Sequence, residues 1–175
     1  MNETLPTIYL SVLLALLAGT GIFILRQIIK SRRIEGTLSK LQKKLKDGKG
    51  TSKEYYELGS IYLDKKLFVN SVSLFQKALK AEKKIEPENL ALIYNALGYA
   101  YFAQEQYDLA IRQYKEALKC NPEYVIALNN LGNAYERKQL TAQALETYEQ
   151  ALTYDPKNST AKGRAESLRK RLVIS

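Results

Sequence analysis

Histidine is absent from the 175-residue chain, and cysteine occurs once, at Cys120. The first absence removes the commonest general base and the commonest metal ligand of neutral pH, which excludes histidine-based hydrolytic triads and histidine-ligated metals. The second leaves no internal disulfide, so the fold needs no oxidising compartment. No carboxylate pair, nucleophile with a base, glycine-rich phosphate loop or metal cluster stands at a meaningful spacing, and Glu86 and Glu88 read as solvated loop charges. Neither catalysis nor a cofactor, a metal or a small-molecule substrate is therefore expected. The length accommodates one modest domain and an appendage, since a single core takes about 100–150 residues.

Charge is missing altogether from Thr4 to Leu25. As a helix rising ~1.5 Å per residue such a run spans roughly 33 Å, enough to cross a bilayer. A cleaved signal peptide would open with a positive segment and close on a small-residue cleavage site. Here only Glu3 precedes the run and a basic cluster follows it, so the segment 4–25 reads as an uncleaved transmembrane anchor. Arg26, Lys30, Arg32 and Arg33 lie just beyond it, where they would meet lipid headgroups. By the positive-inside rule the N-terminus then faces outward and the rest of the chain faces the cytoplasm or its equivalent. Ser11, Ala15 and Gly19 recur every four residues, a small-residue stripe that would let a second helix backbone approach, although small residues are also common in membrane helices generally.

The net charge of +9 is unevenly placed. Residues 26–50 hold nine basic side chains against Glu35 and Asp47 and carry +7, whereas residues 51–175 sum to only +3. Ile34, Leu38, Leu41 and Leu45 fall at helical spacing among those cations, which predicts a basic amphipathic connector over 26–50, its helix ending at Asp47-Gly48-Lys49-Gly50. Its apolar stripe would lie against the first helix of the following domain, against an anionic membrane surface, or along a solvated spacer.

Beyond residue 50 the chain repeats itself. Tyr94, Leu97, Gly98 and Tyr101 are followed by Ala110, Tyr114, Ala117 and Pro122; the same spacing returns in Leu128, Leu131, Gly132, Tyr135, Ala144, Tyr148, Ala151 and Pro156. An earlier copy reads Tyr55, Leu58, Gly59, Tyr62, Ser71, Phe75 and Ala78. A glycine inside a helix costs up to about 1 kcal/mol, so Gly59, Gly98 and Gly132 call for close packing of a second helix. The aromatics Phe75, Tyr114 and Tyr148 are expected to fill the space between neighbouring repeats. The proline in each later copy stops its second helix. The step from Gly59 to Gly98 is longer by five places than the step from Gly98 to Gly132. That surplus predicts a lengthened helix or loop around residues 83–88 with Pro87 as its terminator.

This pattern resembles the tetratricopeptide repeat, whose period is about 34 residues. The resemblance implies an all-α protein, a single transmembrane helix followed by an α-solenoid of three helix pairs over 51–158 (about 52–90, 91–124 and 125–158). A polar capping helix over 159–175 would solvate the last face. In the family, exposed positions of each first helix line a concave face and hold peptides. Carried over, these are Tyr56, Ser60 and Leu63, then Asn95, Tyr99 and Phe102, then Asn129, Asn130, Asn133, Glu136 and Arg137. Asparagine amides both donate and accept, which suits an extended peptide backbone. Tyr56 and Tyr99 stand outside the packing slots and are the foremost contact candidates. The first repeat offers Tyr56 and Ser60 where the family's carboxylate clamps carry Lys and Asn, so a carboxylate clamp is not expected.

An anchor, a basic neck, three repeats and a cap in this length also resemble the membrane-anchored thylakoid proteins of oxygenic bacteria and plastids that assist photosystem I assembly. That resemblance implies a single-pass thylakoid protein with its N-terminus in the lumen and its repeats on the stromal or cytoplasmic side. Its partners would be subunits of photosystem I or other assembly factors. The absence of an Arg/Ser-rich transit sequence implies a bacterial or plastid-encoded protein. Two other readings stand beside it. One is a generic bacterial anchor recruiting secretion, pilus or division machinery. The other is an RNA-binding helical repeat, opposed by a nearly neutral repeat domain.

Overall fold

The structure, a computed structural model, describes residues 4–174; Glu3, whose charge precedes the apolar run, and Ser175, the last residue of the expected cap, lie outside the described residues. Among the described residues the chain is all-α, with helices α1 (Thr4–Leu45), α2 (Ser52–Asp64), α3 (Phe68–Lys80), α4 (Pro87–Phe102), α5 (Tyr107–Cys120), α6 (Val125–Arg137), α7 (Thr141–Tyr154) and α8 (Ser159–Ile174). It divides into two units, one ending at Lys44 and the other beginning at Leu45.

In the first unit α1 runs without a break, so the apolar run and the basic stretch that follows are one helix rather than two. Its most apolar 18-residue window is long and apolar enough to cross a membrane, and none of that window is buried inside the protein. A core helix of a soluble protein would hide such a surface. Ile8, Leu10, Leu13, Leu14, Leu17, Phe23 and Leu25 are instead bare, an apolar surface long enough to be covered by a bilayer. Arg26, Lys30, Arg32 and Arg33 are exposed along the same helix.

The second unit is a stack of helix pairs. α2 packs on α3, α4 on α5 and α6 on α7, while α3 on α4 and α5 on α6 join successive pairs. α4 also touches α2 and α6, so the three first helices form one layer and the three second helices another. A Cβ on Gly59 would lie 2.7 Å from the Phe75 ring, one on Gly98 2.6 Å from Tyr114, and one on Gly132 2.8 Å from Tyr148. No side chain larger than hydrogen fits under those rings. The aromatics press on the glycines of their own repeat, and Tyr114 and Tyr148 also belong to one buried cluster that runs on into Leu128 and Leu131 of the next pair and Leu168 of α8, as expected of residues that fill the space between repeats. Ser71, in an alanine slot, is fully buried, and its hydroxyl donates to the Phe68 carbonyl at 2.8 Å.

Each pair turns by the same device. Lys66, Glu105 and Gln139 all adopt φ 60°, and the following N–H returns to the carbonyl of the motif tyrosine: Leu67 to Tyr62, Gln106 to Tyr101 and Leu140 to Tyr135, at 2.8, 3.0 and 2.9 Å. This is the Schellman arrangement with a side chain in the left-handed slot where glycine is usual. α2 opens with a reciprocal cap, in which the Thr51 hydroxyl accepts from Glu54 N–H and the Glu54 carboxylate from Thr51 N–H. Ahead of it Gly48 takes φ +72°, and its carbonyl accepts from the Tyr55 hydroxyl at 2.7 Å.

The five surplus positions lie in an 81–86 link and in the start of α4, which begins seven places before Tyr94 where α2 and α6 begin three before their own motif residues. Pro87 occupies the first turn of α4. It starts a helix rather than ending one, because its missing N–H falls where a helix has no partner for it.

Candidate partner-binding interface

The layer of first helices carries the predicted contact residues, but the structure divides them into three groups. The first is a polar ladder across repeats two and three. Asn130 Nδ2 donates to Asn95 Oδ1 at 2.9 Å, and Asn95 Nδ2 donates to the Tyr124 hydroxyl at 3.4 Å. Burial, then the nearby Tyr56 hydroxyl, pushes Tyr124 above its usual pKa, so at neutral pH it stays a neutral donor and acceptor. Among the described residues nothing hydrogen-bonds the Asn133 side chain, which is half-buried beside the ladder. Tyr99 is 47% exposed on the same layer. These groups can both give and accept hydrogen bonds, the requirement for pairing with an extended backbone.

The second group is engaged by neighbouring helices. Asn129 Nδ2 donates to Asn158 Oδ1 at 3.2 Å, and that oxygen also caps α8 by accepting from Ala161 N–H at 2.9 Å. Asn129 therefore ties α6 to the start of α8, with its Nδ2 engaged there; its Oδ1 is buried without a partner among the described residues. Glu136, expected on the exposed face, has a side chain only 13% exposed; it accepts from the Tyr148 hydroxyl at 2.9 Å and stands 3.7 Å from Arg164. It joins α6, α7 and α8. Position around α6 decides these outcomes, because neighbouring residues point about 100° apart whereas Asn129 and Glu136, seven places apart, share one face.

The third group gathers at the turn between α4 and α5. Phe102 meets Tyr107 edge-on with ring centroids 5.4 Å apart, and Arg137 lies 5.2 Å over the Tyr107 ring while donating to its hydroxyl at 2.6 Å. Glu105 stands 3.9 Å from the same guanidinium. Phe102 and Arg137 therefore sit at the helix ends, away from the amide ladder.

Tyr56 has a double role. Its ring packs at 5.8 Å on Phe75, so it is not free of the core as expected, yet it also lines a cleft. This cleft of ≈ 620 Å³ lies between α2, the 81–86 link and α4. Ser60 is taken up locally, its hydroxyl donating to the Tyr56 carbonyl at 2.9 Å, and Leu63 is half-buried. Sequence reasoning passed over the cleft, and it also missed two large aliphatic side chains on the same layer, Leu92 (40% exposed) and Ile126 (57% exposed). The available signal was their recurrence: Leu92 and Ile126 each stand two places before the position that opens the motif, Tyr94 in one copy and Leu128 in the next. On α1, Ser11, Ala15 and Gly19 are exposed, and the Ser11 hydroxyl donates to the Ile8 carbonyl within its own helix.

Comparison with known proteins agrees with this architecture. Family models match residues 98–139 as TPR repeat, and residues 125–158 and 55–85 as tetratricopeptide repeat. An uncharacterized protein of Cyanophora paradoxa, ycf37, is 43% identical over 80% of this chain and 81% of its own length. The chloroplastic tetratricopeptide repeat domain-containing protein PYG7 of Arabidopsis thaliana is 34% identical over 95% of this chain and 55% of its own length. Among solved structures, MamA superposes with a TM-score of 0.74 at 22% identity, covering 83% of this chain and 82% of that one. With its three repeat pairs and its match over most of the length of that Cyanophora relative, the chain belongs to the ycf37 family of tetratricopeptide-repeat proteins, scaffolds for protein interaction.

Proposed function

We propose that this protein is a non-catalytic, membrane-anchored scaffold that assists assembly or stabilisation of a membrane complex, photosystem I in the first instance. α1 fixes it in the thylakoid membrane with the N-terminus in the lumen, because the exposed Arg26, Lys30, Arg32 and Arg33 prefer the stromal or cytoplasmic side. Those four cations contact headgroups, and Ser11, Ala15 and Gly19 present a path for a partner transmembrane helix. The repeat unit holds partner subunits or other assembly factors through Tyr56, Asn95, Tyr99, Asn130 and Asn133. Phe102 and Arg137 extend the contact to the α4–α5 turn.

The observation that carries this reading is the bare apolar helix α1 in a chain whose likeness to a chloroplastic relative extends over 95% of its length. Affinity purification from detergent-solubilised thylakoid membranes tests it. Photosystem I subunits should co-purify. Recovery of pilus, secretion or division proteins, or of RNA, in their place overturns it. Asn130→Ala with Asn133→Ala should lower partner recovery several-fold with the helical content unchanged, and unchanged recovery would move the contact off this layer.

A further inference from the structure

The surplus positions by which the first repeat exceeds the period have a structural consequence of their own. They lie in the 81–86 link and the first turn of α4, and the link lines one side of the ≈ 620 Å³ cleft. That volume lies within the range of about 300–1,000 Å³ over which protein pockets enclose a ligand. Its apolar surface comes from Tyr56, Ile85, Leu92 and Ile93. The charges at its edge are of both signs, Lys53 and Lys84 against Glu57 and Glu86, while Glu82 is occupied in accepting from the Ser52 N–H at 3.0 Å. That contact fastens the link to the start of α2. The cleft therefore has a fixed wall, and no field of one sign selects a charged ligand.

A carboxylate or ammonium placed among those four side chains would meet two charges that attract it and two that repel it, so little net attraction offsets the water it gives up. A large apolar side chain would only gain. Next along the layer stand the neutral ladder of Asn95 and Asn130, the amide of Asn133, which has no hydrogen-bond partner among the described residues, and the exposed Ile126. These suit a polypeptide backbone, which offers alternating donors and acceptors, better than a lipid tail, which offers none. We infer that the cleft between α2, the 81–86 link and α4 is an anchor pocket for one large uncharged apolar side chain of an extended partner segment. The backbone of that segment continues along Asn95, Asn130 and Asn133. This rests on the proposed role of the first-helix layer in holding partners and adds the chemistry of what is held.

The test uses the full chain in lipid nanodiscs, panned with a phage-displayed library of random dodecapeptides; the binding of recovered peptides is then measured on variants. Recovered sequences should share one large apolar residue and little net charge. Leu92→Asp and Ile85→Ser should each weaken them about tenfold or more, the factor that removal of one buried apolar side chain produces. Leu92 and Ile85 are both partly exposed, and circular dichroism confirms that each variant keeps its helices. Raising the salt concentration should change the affinity less than about twofold, since screening acts on charge pairs. Recovery of charge-rich peptides, or of none, overturns the inference. So does unchanged affinity in both cleft variants; if Asn130→Ala with Asn133→Ala still weakens binding, the partner-holding role of the layer survives. If that double variant is silent as well, both readings fall. Competition by free fatty acid, with no effect of the amide variant, would assign the cleft to lipid and overturn the inference too.

Discussion

Replacing Gly98 by alanine should destabilise the repeat unit, although alanine is the better helix former. The added Cβ would stand 2.6 and 2.7 Å from two carbons of the Tyr114 ring. An ordinary contact is about 3.5 Å or more, so the ring or the helix must yield by nearly an ångström. Tyr114 is 1% exposed and packed between helices, and overpacking at such a site costs about 1–3 kcal/mol. Against this stands a gain of up to about 1 kcal/mol in helix propensity. The net expectation is a loss of about 1–2 kcal/mol, or a fall of about 3–10 °C in Tm for a unit of this size. Gly163 supplies the control, because it lies inside α8 with nothing within 4 Å of a built Cβ. Gly163→Ala should raise Tm by a few degrees. Thermal unfolding of the full chain in detergent, followed by the near-ultraviolet circular dichroism of its tyrosines, reads both. If Gly98→Ala and Gly163→Ala shift Tm in the same direction, close approach of the second helix is not what places glycine at position 98. On a Tyr114→Leu background the penalty of Gly98→Ala should disappear, and its persistence would refute the same reasoning.

Burial, first of all causes, pushes the Tyr114 and Tyr148 hydroxyls well above the ordinary tyrosine pKa of 10.0. A raised folded-state pKa means that the stabilisation is complete below the unfolded value and is lost as pH rises through the folded one. Urea midpoints should therefore be flat to about pH 10 and fall above it, with Tyr148→Phe flattening the slope; a midpoint that rises there would contradict the assignment. Glu136→Ala leaves the buried Tyr148 hydroxyl without its acceptor and Arg164 without its carboxylate, for a loss of about 1–3 kcal/mol. Hydrogen exchange should speed up in α8 before α4, whereas Glu136→Gln should be milder. Gln139→Gly relieves a left-handed non-glycine residue and should stabilise by about 0.5–1 kcal/mol; a lower denaturation midpoint would refute the strain.

The helix pairs were legible in the sequence because each packing slot tolerates few residue types. Only glycine fits under Phe75, Tyr114 and Tyr148, and alanine recurs where the helices cross, as at the fully buried Ala110, Ala117, Ala144 and Ala151. Such constraints are local in register, so a fixed period reveals them. The turns were less legible: nothing in Lys66, Glu105 or Gln139 as residue types announces φ 60°. Pro87 was misread because a proline before a helix and one after a helix look alike until the neighbouring hydrogen bonds are known. Asn129 and Asn130 are adjacent, chemically identical and opposite in role, since the rotation of α6 against α8 turns one toward Asn158 and the other toward Asn95.

The sequence by itself determined the class of the molecule: an uncharged N-terminal run, a basic stretch after it, three copies of one helix pair and a polar end. Composition and period suffice for these, because water, lipid and close packing act on each residue type in much the same way everywhere. Only the tertiary structure decided which amides remain available, which acid is drawn inside to clamp α8, and that the surplus positions wall a cleft. Those outcomes depend on groups far apart in the chain, such as Ser52 and Glu82, meeting at hydrogen-bond distance. Such meetings are fixed by how the helices pack, not by any residue's own preference.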